Sequence, residues 1–334
     1  MKNILISDPT LRDGNHAAKH DLPLDVYIEY CENAESAGVP IVEAGHGNGL
    51  GASSMLVGEC SLDDETILKN CRAHLKNTKL GIHVIPGFAT IKSNLSQAID
   101  LGVDVFRIAS HCTEADITKN HIGYLRKNNK TVYGVLMMSH LADIQTLIKE
   151  SLKMQDYGAE AVIIMDSAGF YLPDDVRNRI RLLKESLVID IGFHGHNNLG
   201  MGIYNAVAAV EEGATILDGS IKGYGAGAGN TQLEVLIAVL HRMGYDTGVN
   251  LDELFKLVSV LDKYNLNNPV ISPLSLVSGI AGVFSGFAKH VLEAANKFNV
   301  NPNDIFYELG KRKVVAGQES LIFEVAKILG DKNE

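Results

Sequence analysis

Short runs of β-branched and other apolar residues recur along the chain from Ile4 to Leu217. Eight can be picked out: Ile4–Ser7, Ile41–Ala44, Leu80–Ile85, Val105–Ala109, Val132–Met137, Ala161–Met165, Ile189–Phe193 and Thr215–Leu217. They show little alternation of apolar and polar residues, the pattern of parallel strands buried on both faces. The segments between them carry helical spacing. Ile144, Leu147, Ile148 and Leu152 share one face of such a segment, and Ile203, Ala206, Val207 and Val210 share one face of another. Four helix-to-strand joins are alike, with Gly38, Gly102, Gly158 and Gly213 preceding the second, fourth, sixth and eighth runs. Glycine there fits the left-handed residue that ends a helix. The glycines recur at intervals of 64, 56 and 55 residues, which is two β/α units each time. Eight strands alternating with helices, with a two-unit echo, predict a (β/α)8 TIM barrel. A doubly wound open sheet is the alternative, because periodicity alone does not show closure.

Beyond Asn250 the pattern changes. Leu251–Tyr264, Val277–Asn299, Asn303–Gly310 and Gln318–Leu329 read as helices, with Pro269 and Pro273 interrupting the chain between the first two. The expected organisation is an α/β catalytic barrel over residues 1–250 and an all-helical C-terminal extension over residues 251–334.

Composition narrows the function. Hydrophobic residues make up 46% and charged residues 21%, a globular balance for a chain able to bury a large core. The formal net charge of -10 argues against nucleic acid or an anionic membrane as partner. An anionic small molecule remains compatible, because a few local cations outweigh a distant field. Cys31, Cys60, Cys71 and Cys112 form no C-x-x-C pair and match no zinc knuckle, so free thiols in a reducing compartment are expected. No run has the length of a signal-peptide core or a membrane span. A soluble, cytoplasmic protein is the expectation.

Residues just after each strand of a barrel face the active site. The first strand runs into Thr10-Leu11-Arg12-Asp13-Gly14-Asn15-His16, which gathers a permanent cation, a carboxylate and an imidazole. The seventh ends Phe193-His194-Gly195-His196-Asn197-Asn198. Residues i and i+2 of a strand share a face, so His194 and His196 can aim at one point. Asp13, two strands away around the ring, can complete a site of two histidines and one carboxylate with open positions. Mixed nitrogen and oxygen donors without thiolate suit Mn²⁺, Mg²⁺, Zn²⁺ or Co²⁺. Other strand ends add Glu43, His46, Ser110, His111, Thr113, Glu114, Ser139, His140, Asp166 and Ser167. Each alone reads as a structural hydrogen-bonding group; together they form a polar ring. The late glycine-rich segment Gly223–Asn230 fits a dinucleotide pattern only loosely and lacks the expected βαβ setting. It reads as a loop of close approach near the substrate.

T-L-R-D-G at the first strand end with H-x-H-N at the seventh resembles the metal-dependent barrel lyases, which include isopropylmalate synthase and hydroxymethylglutaryl-CoA lyase. Thr10–Ala17, His111–Asp116, Leu136–His140, Gly225–Asn230 and Gly317-Gln318-Glu319 are similar to stretches of the 4-hydroxy-2-oxovalerate aldolases, and the resemblance covers essentially the whole chain. It implies a carbon–carbon lyase acting on a small 2-oxo acid and an aldehyde. Asp13, His194 and His196 are implied as metal ligands, with Mn²⁺ the usual ion and Mg²⁺ or Co²⁺ as substitutes. Arg12 is implied at the substrate's carboxylate and oxo oxygen, His16 as catalytic base and Ser167 as a substrate contact. The helical extension is implied to dock an acylating aldehyde dehydrogenase, and an oligomer is expected. One position departs: the family tyrosine is replaced by Phe284, which removes a hydroxyl near the substrate's hydroxyl end. The rival readings are a Claisen-type condensing enzyme or acyl-CoA lyase on the same metal barrel, and a non-catalytic scaffold for a dehydrogenase.

Overall fold

The computed structural model describes residues 2–264, 266 and 268–332; the expected domain limits at Met1 and Glu334 lie outside the described residues. Its eight strands are β1 (Leu5–Leu11), β2 (Ile41–Ala44), β3 (Lys79–Val84), β4 (Val105–His111), β5 (Thr131–Met137), β6 (Ala161–Asp166), β7 (Asp190–Gly195) and β8 (Ile216–Asp218). All pair in parallel, and the ring closes where Leu5, Ile6 and Ser7 meet Ile216, Leu217 and Asp218. Closure excludes the open sheet. The four join glycines take positive φ values of 71°, 83°, 107° and 102°, as a left-handed helix end requires.

Alternation along each strand sorts side chains between two environments. Ile6, Val42, Phe106, Ile108, Phe193 and Leu217 face outward into the main core beneath the helices. Leu5, Ile41, Val105, Ala109, Val135, Ile163 and Ile216 face inward and pack the bore. The same parity turns Ser7, Glu43, Arg107, His194 and Asp218 inward, one residue pair further along their strands. The bore is therefore apolar at one level and polar at the next.

The helix Leu251–Lys263 packs on helix Leu24–Ala37 and buries Leu254, Leu257 and Leu261 in the barrel's own core. A second core starts further on and gathers Val283, Phe287, Val291, Ile305, Phe306, Leu309, Ile322 and Val325. The stretch read from sequence as one helix, Val277–Asn299, is two: Pro273–Ala281 and Ala288–Phe298. Gly282 separates them with φ 65°, and its amide closes the first helix onto the Gly279 and Ser278 carbonyls. The helical spacing continues across the break, which is why the sequence pattern hid it.

Buried hydrogen bonds cross the junction between barrel and helical unit. Asn198, two residues after His196, donates through Nδ2 to the Ser275 carbonyl (2.9 Å), Ser278 Oγ (3.2 Å) and Ser285 Oγ (2.6 Å). His140, after β5, meets the Gly282 carbonyl at 2.8 Å through Nε2. Among the described residues no helix is long and apolar enough to cross a membrane. Asn198→Ala leaves buried acceptors without a donor and should cost about 1–3 kcal/mol. Hydrogen exchange should speed up in residues 273–287 while the barrel strands stay protected; unchanged exchange there would remove Asn198 from the junction.

Candidate metal centre at the barrel mouth

The turn after β1 is shaped by two buried side chains. Asp8 accepts from the Thr10 amide (2.9 Å) and from the Thr10 and Tyr30 hydroxyls (both 2.5 Å), so it anchors the turn. Burial pushes its carboxyl up to about 6, against the pull of those donors. Asn15 donates through Nδ2 to the Leu11 carbonyl (3.1 Å), the Tyr27 hydroxyl (2.7 Å) and the Gly45 carbonyl (2.8 Å). The turn so held presents Arg12, Asp13 and His16 to the mouth.

Asp13, His194 and His196 come together as the sequence pattern anticipated. Each offers a donor atom within 4.8 Å of the others, and all three are buried. His194 Nδ1 donates to Asp218 Oδ2 at 2.8 Å, leaving Nε2 as the ring's lone-pair nitrogen. His194 Nε2 and His196 Nδ1 are buried with no hydrogen-bond partner among the described residues. Asp13 is held on both oxygens, by Arg12 Nη1 at Oδ1 (2.8 Å) and Asn230 Nδ2 at Oδ2 (2.7 Å). Burial opposes its charge, yet Arg12 and His196 hold the carboxyl well below the usual range. Burial also pushes His196 down to about 4, so it is a neutral ring with a free lone pair. Two imidazoles and one carboxylate, with ring nitrogens that have no partner among the described residues, fit a divalent cation.

Behind this group lies a chain of buried ion pairs. Arg12 Nε donates to Glu43 Oε2 at 3.2 Å. The other Glu43 oxygen accepts from Arg107 Nη1 and from Ser7 Oγ (3.1 Å). Arg107 Nη2 donates to Asp218 Oδ2 at 2.5 Å, the oxygen that also holds His194. Burial would raise the Asp218 carboxyl, but Arg107 and His194 hold it below its ordinary value. Sequence reading placed Glu43 in the polar ring; it did not single out Arg107, Asp218 or Asn230. The available signal was a charged residue inside an otherwise apolar run, Val-Phe-Arg107-Ile-Ala, and another closing Ile-Leu-Asp218.

His16 is half-buried, its Nε2 4.0 Å from Asp13 Oδ1. Burial pushes its ring down to about 4, the neutral form that accepts a proton. His20 stacks on His46 with centroids 3.8 Å apart and meets His16 edge-on at 5.2 Å. His46 is fixed by the Gly58 carbonyl at Nε2 (2.9 Å) and the Asn48 amide at Nδ1 (3.0 Å). Ser167 Oγ accepts the Met138 amide at 2.9 Å, and Met138 itself is left-handed with φ 52°. Asp166 caps the Phe170 and Tyr171 amides, and Ser139 bonds the Met165 carbonyl and the Tyr171 hydroxyl. His111 bonds Thr113 beside it. Phe284 packs with the helical unit, edge-on to Phe287 at 5.9 Å, and precedes Ser285, the partner of Asn198.

The glycine-rich loop makes the close approach expected of it. A Cβ at Gly225 would lie 2.6 Å from both Asp13 Oδ2 and Asn230 Nδ2. Gly225→Ala should therefore push Asp13 and Asn230 apart and weaken divalent-ion binding tenfold or more in a protein with an unchanged circular dichroism spectrum. Calorimetric titration with a divalent ion at wild-type affinity would show that the loop yields instead.

The sequence and fold match known proteins over essentially the full chain. The HMGL-like family model covers residues 3–261, and the DmpG-like communication domain covers residues 269–331. A 4-hydroxy-2-oxovalerate aldolase of Pectobacterium atrosepticum is 59% identical over 334 residues, 100% of this chain and 97% of that protein. One from Spirochaeta aurantia is 57% identical over 97% of this chain and 95% of its own length. Among solved structures, the N-terminal domain of a Bacteroides vulgatus protein described as an aldolase aligns with TM-score 0.73 at 25% identity, over 90% of this chain and 98% of that one. The carboxyl transferase domain of Rhizobium etli pyruvate carboxylase shares the fold at TM-score 0.81 and 14% identity, over 100% of this chain and 62% of that one. By its sequence over its whole length and by the barrel that sequence forms, this chain belongs to the 4-hydroxy-2-oxovalerate aldolase family of carbon–carbon lyases.

Proposed function

We propose that the protein cleaves 4-hydroxy-2-oxo acids, such as 4-hydroxy-2-oxopentanoate, reversibly to pyruvate and a short aldehyde. The observation that carries this reading is the pair of partnerless imidazole nitrogens beside an ionised Asp13, with Arg12 Nη2 buried and partnerless next to them. Asp13, His194 and His196 would hold the divalent ion, Mn²⁺ in this reading, with Mg²⁺ or Co²⁺ as substitutes. The ion would supply a Lewis acid for the substrate's 2-oxo acid end.

The chain's own residues then divide the work. Neutral His16 accepts the proton of the 4-hydroxyl, directly or through a water. The C3–C4 bond breaks, the hydroxyl-bearing carbon leaves as aldehyde, and the bond's electrons move into the 2-oxo group to give the pyruvate enolate. Arg12 Nη2, which has no acceptor among the described residues, donates to the oxygen where negative charge develops. A proton delivered to C3 completes pyruvate, and the reverse sequence joins the two products. Ser167 contacts the substrate, and Phe284 replaces a hydroxyl donor at its 4-hydroxyl end with a ring.

Docking of an acylating aldehyde dehydrogenase on the helical unit completes the reading. The match of residues 269–331 to a communication domain supports it, as do the exposed apolar side chains of Leu276 and Ile280 on helix Pro273–Ala281.

Protein stripped of metal should release no pyruvate from 4-hydroxy-2-oxopentanoate, and Mn²⁺ should restore release. Asp13→Ala should lose bound metal and activity together. Arg12→Lys should bind metal more weakly and, once saturated with metal, lose about 10²–10³ in kcat, because one ammonium cannot reproduce the guanidinium's fork. No pyruvate from folded, Mn²⁺-loaded protein sinks the proposal, and thiol release from an acyl-CoA under the same conditions would point to Claisen chemistry. Phe284→Tyr should keep turnover and sharpen discrimination between the two enantiomers of the substrate; an unchanged enantiomer ratio counts against a role for position 284.

A further inference from the structure

We propose that Arg107 is a positioning residue for this reaction: from inside the bore it braces Asp218 and Glu43 together, and through them aims His194 and Arg12 at one point. The inference rests on the proposed ligand set.

β4 and β8 lie four strands apart in a ring of eight, so Arg107 and Asp218 face each other across the bore. Arg107 is fully buried and reaches both carboxylates with one planar group, Nη1 toward Glu43 and Ser7 Oγ (3.2 Å) and Nη2 toward Asp218. Each carboxylate hands that constraint on. Asp218 Oδ2 takes the Nδ1 hydrogen of His194, which sets the ring's tautomer and turns Nε2 toward Asp13 and His196. Glu43 Oε2 takes Nε of Arg12, which leaves Nη1 on Asp13 and Nη2 free. The path from Asp13 through Arg12, Glu43, Arg107 and Asp218 to His194 begins and ends on the ligand group. A lysine offers one ammonium in place of the fork and cannot hold both carboxylates in these positions.

The test is Mn²⁺ affinity, read by electron paramagnetic resonance titration, with folding followed by circular dichroism. Arg107→Lys should stay folded and bind Mn²⁺ ten- to a hundredfold more weakly, the loss typical of a residue that orients a ligand from behind. Asp218→Asn should show a similar loss, and combining the two should add less than a further twofold, because both changes cut one path. Wild-type affinity in folded Arg107→Lys, or losses that multiply in the double variant, overturns the inference. If Arg107→Lys does not fold, Arg107→Met with Glu43→Gln removes one cation and one anion together. A further tenfold loss relative to Glu43→Gln alone supports the brace, and equal affinity overturns it. Asp13→Ala separates the two levels. Equal Mn²⁺ binding by wild type and Asp13→Ala overturns the ligand set and this inference with it, whereas binding lost in Asp13→Ala but kept in Arg107→Lys overturns this inference alone.

Discussion

Glu43 and Asp218 are carboxylates taken out of water inside a closed barrel, and the mouth of the barrel is arranged around the guanidiniums that keep them there. Desolvating such ions costs several kcal/mol each, roughly what their attraction returns, so an ion-paired layer adds little stability over a packed apolar one. The level below shows that this bore accepts an apolar filling, since Ile41, Val105, Ile163 and Ile216 pack it. What the polar layer provides is direction. An aliphatic side chain would fill the same volume without fixing which nitrogen of His194 carries its proton, or which edge of Arg12 faces Asp13. Removing one member would leave an uncompensated buried charge and cost about 3–5 kcal/mol, so the layer is held as a unit.

The charge count of that unit favours a bound cation. Asp13, Glu43 and Asp218 bring three negative charges against the two of Arg12 and Arg107, leaving one negative charge in a closed space. His16 and His196 do not neutralise it, because burial drives both down to about 4. A divalent cation held there would outweigh that charge. The same burial keeps His16 in the neutral form that can accept a proton. One constraint, burial of a fixed set of charges, thus serves ion binding and proton transfer together.

How much of this was legible in the sequence follows from the range of each interaction. The strands, the glycine joins and the H-x-H pair are local patterns, and the structure contains them where they were read. Asp13 joins the histidines because barrel closure sets β1 beside β8 and one strand from β7, which the strand count already implied. Arg107 and Asp218 were not legible: each is one charged residue in an apolar run, and their meeting depends on two strands 111 positions apart facing across a bore. His140, which taken by itself reads as a structural hydrogen-bonding group, has that role: its Nε2 meets the Gly282 carbonyl at the edge of the helical unit. Asp166 and Ser139 likewise spend their hydrogen bonds on neighbouring backbone and on Tyr171.

The junction itself has a consequence for how the two units work together. The helical unit buries its own apolar core and does not need the barrel for burial. What crosses between them includes the Asn198 amide, three serines and the His140–Gly282 contact. Hydrogen bonds of this kind add about 1 kcal/mol each, but they are directional, and the Asn198 Nδ2 group reaches its acceptors in one orientation only. Asn198 stands two residues past His196, and a Cβ at Gly227, in the loop that carries Asn230, would collide with Ser285. The helical unit is therefore oriented by the backbone that also carries a candidate ligand and the donor to Asp13. Directional bonds at this place align the unit with the site to the tolerance of a hydrogen bond, which burial of an apolar face would not do.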